Sequence, residues 1–312
     1  MAKIKNNVNI GYLMIFIAGA GWGTGGIWIT QMGKLGASSL MTGFTGHLFA
    51  APMIAIAIFA TLGTGGFKIS KRGLMFALIM GVITKGFFKM AYDTTIATVG
   101  VSTGAVLLYT APVFVAILSM LVFKEKLYAN NYLALGMNLI GVLLMVTLGN
   151  FSTLNIAPMG IALGLTSAFL HASNTIMAKF SGDTDNSLTM TFYMLVFSLI
   201  TQGIFAQPWT PINIGLLTNG FFLFWALINA LITGAIANLL YIKGLSTNID
   251  ASKAPIVSSV EVIVASLSGV ILFSEGMNMV GVFGIILMLG SIYLMNINPK
   301  ELKGRELSEE VY

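Results

Sequence analysis

Apolar runs of about 20 residues, separated by short polar segments, repeat along almost the whole chain. A helix of that length is what it takes to cross roughly 30 Å of hydrocarbon. Ten such runs are read near residues 10–30, 42–62, 73–92, 101–122, 132–149, 159–179, 188–206, 221–242, 254–273 and 279–296. The breaks between them carry turn and charge signals, among them QMGKLGASS, GTGGFKISKRG, FKEKLYANN, SGDTDNS and QPWTPINIG. The pattern predicts an all-α integral membrane protein with ten transmembrane helices, followed by a polar tail over 300–312.

Composition agrees with that pattern. The 312 residues are 56% hydrophobic and only 9% charged, against about 25% charged in an ordinary globular domain. So few charges cannot cover a water-facing surface, and lipid must solvate most of it. The N-terminus, MAKIKNNVNIGYLMIFIAGAG, has basic residues ahead of an apolar run that is longer than the core of a signal peptide. It is expected to be retained as the first span. With the N-terminus in the cytoplasm, thirteen of the 16 Lys and Arg fall in cytoplasmic segments. Outer loops hold only Lys34, and Lys85 and Lys89 lie within the third span. This positive-inside distribution predicts that both termini are cytoplasmic in a multi-pass protein of the inner or plasma membrane.

The same facts exclude several chemistries. The net charge of +5 is spread over short loops and forms no basic face, so no nucleic-acid partner is expected. With no cysteine there are no disulfides, thiolate metal sites or cysteine nucleophiles. The two histidines, His47 and His171, are far apart, no HExxH occurs, and the nineteen methionines form no dense motif. Neither a cofactor nor a metal is expected. No G-x-x-x-x-G-K-[ST] is present, so ATP does not drive this chain directly. The stretch GWGTGG, Gly21 to Gly26, matches a dinucleotide fingerprint in spelling only. It lies inside an apolar run, and no acid occurs between Gly26 and Asp93. As a helix it offers two small-xxx-small pairs, Gly19/Gly23 and Gly21/Gly25, for close packing and local bending.

Ten spans divide into five and five. A shift of 150 residues places Glu125 on Glu275, Phe123 on Phe273, Ser102 on Ser252 and Pro112 on Val262. Five is odd, so the two copies, 1–150 and 151–299, are expected to insert in opposite orientations, as in many secondary transporters. At these residues the chain resembles a family. LLYTAPVFVAILSMLVFKEKL and SSVEVIVASLSGVILFSEGM, together with Trp22-Gly23, look like the two halves of an EamA-type transporter of the drug/metabolite transporter superfamily. The resemblance implies ten helices around a central cavity, alternating access, and substrates such as amino acids, amines and other small metabolites. The chain departs from that pattern at Val262, where proline is common, and at His171, where a second tryptophan would be expected.

Polar groups inside a bilayer are costly and need a reason. Lys85 lies too deep in the third span to reach water by snorkelling alone. It is either a braced structural lysine or a cavity lysine that binds a substrate carboxylate or changes protonation. Glu261, the acid read deepest in any span, is a partner for Lys85, a proton-coupling group or a counter-ion for a substrate amine. His171 shares a helix face with Asn174 and Thr175. Asn229, Thr233 and Asn238 form a stripe on the eighth span that runs towards Tyr241. Tyr109 precedes a kink expected at Pro112. Trp22 and Thr24 are the side chains that the glycine-rich first span can present. The candidate cavity is therefore Trp22, Thr24, Lys85, Tyr109, His171, Asn174, Asn229, Asn238 and Tyr241, with Lys85 and Glu261 as coupling residues. Structural roles are expected for His47, for a Lys89–Asp93 pair and for Glu125 and Glu275, with Trp209 as an interfacial anchor. The function expected is secondary active transport of a small organic metabolite, proton- or exchange-coupled and with export favoured, by a monomer or homodimer. A quaternary-amine or drug carrier and a membrane-embedded lipid-modifying enzyme are the alternatives.

Overall fold

The polar breaks of the sequence start the helices. Ser38 Oγ accepts from the Met41 N–H at 3.1 Å, Ser70 Oγ from Gly73 at 2.9 Å, Asn219 Oδ1 from Phe221 at 2.9 Å and Asn278 Oδ1 from Gly281 at 3.0 Å. Each takes up an N–H that the first helical turn leaves free. In the computed structural model, residues 2–297 are described except Ile156, Asp183 and Asn248, with side chains from Val8 onward. The polar tail over 300–312 and the side chains of Lys3 and Lys5 lie outside the described residues.

The first span is two helices, α1 (Ala2–Gly23) and α2 (Gly25–Lys34), and α3 (Ser39–Leu62) follows. The next helical stretch joins α4 (Lys71–Leu78), a π-helical segment (Ile79–Phe87) and α5 (Phe88–Leu108). α6 (Ala111–Val122) and α7 (Ala129–Thr147) complete the first half. The second half holds α8 (Pro158–Gly182), α9 (Ser187–Ala206), the short α10 (Pro211–Leu217) and α11 (Gly220–Asn229). A second π segment (Ala230–Ile236) leads into α12 (Ala237–Leu245). α13 (Ala254–Ser258), α14 (Val260–Phe273) and α15 (Met279–Asn296) end the fold. Among the described residues there is no strand, and nine helices are long and apolar enough to cross a membrane.

That count is one below the ten apolar runs because Lys71–Leu108 is a continuous stretch of 38 residues. As one straight helix it would be about 57 Å long, nearly twice the hydrocarbon thickness. It is broken at Gly100, with φ 84° and ψ 167°, a conformation open to glycine and strained for other residues. The expected kink at Pro112 is also relocated. The chain turns earlier, at Tyr109–Thr110, and Pro112 sits in the first turn of α6, where a missing N–H costs nothing.

Packing repeats between the halves. α7 lies along α15, and α3 along α9. α1 packs on α12 and α14, while α8 packs on the first π segment and on α6. Small residues allow these approaches. At the crossing of α7 and α15, Gly141 and Gly284 meet backbone to backbone. Gly19 lies on the Ser258 backbone, and a methyl at Gly23 would come within 2.5 Å of the Glu261 carbonyl oxygen. Of the two predicted small-xxx-small pairs, Gly19/Gly23 is the close-packing one, whereas an added carbon at Gly21 or Gly25 would meet its nearest neighbour only at 3.4 or 3.5 Å.

This contact makes a testable distinction within one motif. Gly23→Ala should destabilise the protein by about 1–3 kcal/mol through overpacking. Gly26→Ala, whose added carbon would meet nothing within 4 Å, should leave the thermal midpoint in detergent unchanged or slightly raised. Equal midpoints for the two variants would mean that Gly23 does not set the helix separation.

Candidate functional site

Trp22 is the penultimate residue of α1, two residues before the Thr24 break. Its indole Nε1 donates to the Thr233 carbonyl at 3.1 Å, which ties the first span to the second π segment. Its ring lies against Tyr241, with centroids 5.0 Å apart. Above the same ring, 5.2 Å from its centroid, sits the Lys85 ammonium, delivered by the first π segment. This is a cation–π contact in a desolvated setting, where such contacts are strongest. Glu261 is in the first turn of α14, on the helix that Gly23 allows to come close.

Lys85 and Glu261 are each other's acting opposite charge, yet they form no ion pair. Among the described residues the ion pairs within 4.0 Å are Lys89–Asp93 and Lys253–Asp250. The Lys85 charge also acts on His47 and His171, and that of Glu261 acts on Tyr92, Tyr109 and Tyr241. Trp22, Lys85, Tyr109, His171 and Glu261 are half-buried.

The π segments have a local cause and a local remedy. A π turn shifts hydrogen bonding to i+5 and leaves carbonyls short of donors. Asn238 Nδ2 donates to the Thr233 and Gly234 carbonyls at 3.0 and 2.8 Å, beside the indole of Trp22. In the first π segment, Thr84 Oγ1 lies 2.9 Å from both the Met80 carbonyl and Asn174 Oδ1. Gly81 and Gly86 let α9 pack directly on that segment.

Several residues of the predicted cavity have their polar groups engaged in bracing. Asn174, Asn229 and Asn238 are buried, and Asn229 Oδ1 accepts from Thr233 at 2.8 Å. The Thr24 hydroxyl donates to the Gly21 carbonyl at 2.7 Å and accepts from Trp28 Nε1 at 3.2 Å, within the helix break. Tyr241 does both jobs. Its hydroxyl meets Thr175 Oγ1 at 2.8 Å while its ring walls the site. Lys89 binds Asp93 and Ser39 at the start of α5, the i,i+4 pairing that its spacing suggests. His47 Nδ1 lies 3.1 Å from Ser198 Oγ, which accepts from Gln202 Nε2 at 3.2 Å.

Sequence reasoning missed Phe88 and Tyr92, whose rings stack 5.9 Å apart, with Phe88 5.3 Å from the His171 ring. Phe88 and Tyr92, four residues apart on α5, share a helix face, and that aromatic pair was a usable signal. Gln202, an amide alone in an apolar run, was another. The π segments left no mark in the pattern.

The EamA-like transporter family matches this chain twice, over residues 9–147 and 158–297. The chain belongs to that family. The EamA family comprises transporters, not enzymes, and the lipid-modifying alternative falls away. Similar proteins include an uncharacterized transporter of Archaeoglobus fulgidus, 27% identical over 69% of this chain and 75% of its own. One from Synechocystis is 25% identical over 61% and 57% of the two chains. A solved crystal structure superposes with a TM-score of 0.73 over 95% of this chain and 98% of its own, at 14% identity, which speaks for the fold alone.

The bracing at the second π segment is open to test. Asn238→Ala removes the amide from the Gly234 carbonyl and leaves the Thr233 carbonyl to Trp22 alone, and should cost about 1–3 kcal/mol, read as a lower thermal midpoint in detergent. An unchanged midpoint would mean that water replaces the amide.

Proposed function

We propose that this EamA-family protein is a secondary active transporter of a small zwitterionic metabolite of the amino-acid type. The observation that carries the reading is that Lys85, held over the Trp22 ring, and Glu261 are opposite charges that form no ion pair. Two opposite charges inside a bundle pair with each other when nothing else is to be bound, because separation in a low dielectric is expensive. Held apart, they match a molecule with a carboxylate at one end and an ammonium at the other. Trp22 and Tyr241 offer ring faces to its apolar part.

Ten crossings in two inverted halves, 1–150 and 151–299, frame this mechanism. The division at Gly100 supports the tenth crossing. The exchange of packing partners between halves, and a π segment in the third and again in the eighth span, support the repeat. With the basic loops in the cytoplasm of an inner or plasma-membrane protein, both termini are cytoplasmic. One half then rocks against the other around the Lys85–Glu261 site, opening it to each side in turn. Glu261 is the group that exchanges a proton with the gradient, and export is the favoured direction.

In proteoliposomes, Lys85→Ala should cut transport at least about tenfold, the worth of a lost charge-assisted contact, while the thermal midpoint stays near wild type. Normal transport by this variant would remove Lys85 from the site. Glu261→Gln cannot gain or lose a proton at that position, so its transport rate should lose the pH dependence of wild type. An unchanged pH profile would assign Glu261 to binding or structure alone. For the substrate class, free amino acids should raise the midpoint of the purified protein by linkage. Their esters and their deaminated analogues, each lacking one charge, should raise it less. Equal shifts for all three would overturn the zwitterion reading.

A further inference from the structure

The two ends of the protein carry equivalent glutamates in different arrangements. At the end rich in Lys and Arg, Glu125 follows α6. Its carboxylate accepts from the Ala251 N–H at 2.7 Å, the Ser252 N–H at 3.0 Å and the Ser252 hydroxyl at 2.7 Å. These bonds tie the end of the fourth span to the start of the ninth, across the two halves. The 150-residue shift that relates the halves turns Glu125, Ala251 and Ser252 into Glu275, Val101 and Ser102.

At the opposite end the same groups are present without the same bonds. The two glutamates leave their helices by the same turn: the Glu125 N–H donates to the Ser119 carbonyl at 3.3 Å, and the Glu275 N–H to that of Gly269 at 3.1 Å. Yet the Glu275 carboxylate is exposed and folded back over Gly269 of its own helix. Ala251 is 0% exposed, whereas its counterpart Val101 is 67% exposed. A crevice of about 110 Å³, with Gly23, Ser268, Phe273 and Glu275 in its wall, opens on this side between α2 and α14.

We infer that Glu125 and Glu275 are reciprocal latches of the transport cycle. Glu125 on Ala251 and Ser252 closes the basic end. Glu275 on Val101 and Ser102 closes the opposite end, and each forms as the other breaks. The structure is the state with the basic end shut and the opposite end open. Carboxylates on backbone N–H groups make strong, charge-assisted bonds. A latch of this kind makes each closed end a distinct minimum and biases the equilibrium between two states. The inference rests on the transporter reading but not on any substrate.

The test uses the full chain in nanodiscs, with both faces accessible and no substrate added. The chain has no cysteine, so single cysteines report without background. Val101→Cys and Ala251→Cys occupy equivalent positions and keep the backbone N–H groups. With both glutamates intact, a polar maleimide should label the first quickly and the second slowly. Adding Glu125→Gln should speed labelling at 251 by about tenfold or more and slow it at 101. Ser252→Ala, which removes one bond of three, should act in the same direction but less. Glu275→Gln should leave 101 fast and slow 251 further. The latter two variants carry the test if Glu125→Gln fails to fold. The latch is overturned if neither rate changes, or if 251 becomes reactive while 101 stays as fast as before, since that outcome is local fraying. A wrong substrate class would leave all these rates as they are.

Discussion

Inside a bilayer, a backbone carbonyl without a donor has no water to turn to. Several breaks in the spans are accompanied by a side chain that donates to a carbonyl at the break. Thr24 serves the Gly21 carbonyl, Thr110 that of Leu107 and Ser259 that of Ile256. Asn238 and Trp22 share the carbonyls of the second π segment. The breaks cluster at the level of Lys85 and Glu261, so the polar atoms that permit irregular backbone also build the surroundings of the site. Trp22 shows the economy best: one indole satisfies a carbonyl, packs tilted against Tyr241 and holds a lysine over its ring.

Glycine does complementary work. Gly19 and Gly23 bring α1 onto α13 and α14, Gly81 and Gly86 bring the first π segment onto α9, and Gly141 with Gly284 seats α7 on α15. Without a hydrophobic driving force between helices in lipid, close van der Waals contact supplies much of the association. The result is a tightly packed frame around a centre whose charged groups remain half-buried.

Much of this was legible in the sequence. Length and apolarity marked the spans, and the glycine spacing marked the packing surface. The cost of burying charge singled out Lys85 and Glu261. Two things were not legible, for physical reasons. A π turn inserts one residue into a helix without changing its composition, so hydropathy cannot register it, and it changes which face Lys85 occupies. Nor does a polar residue in a span announce whether it faces a ligand or a neighbouring helix. Asn174 and Asn229 look identical to ligand-binding amides until Thr84 and Thr233 are seen beside them. The Gly100 break was hidden for a different reason: regular helix resumes on both sides of a single residue.

The frame is nearly symmetric, but its central charges are not. The ammonium belongs to the first half and the carboxylate to the second, with no counterpart of either in the opposite half, where Ala235 and Ala111 stand at the positions related by the shift of 150 residues. The pair is an electric dipole drawn across the interface between halves. In the proposed rocking of one half against the other, the separation of those charges would change and electrical work would be done. A zwitterionic guest of the proposed kind, its dipole opposed to the pair, would cancel most of that work and flatten the energy surface of the loaded carrier relative to the empty one.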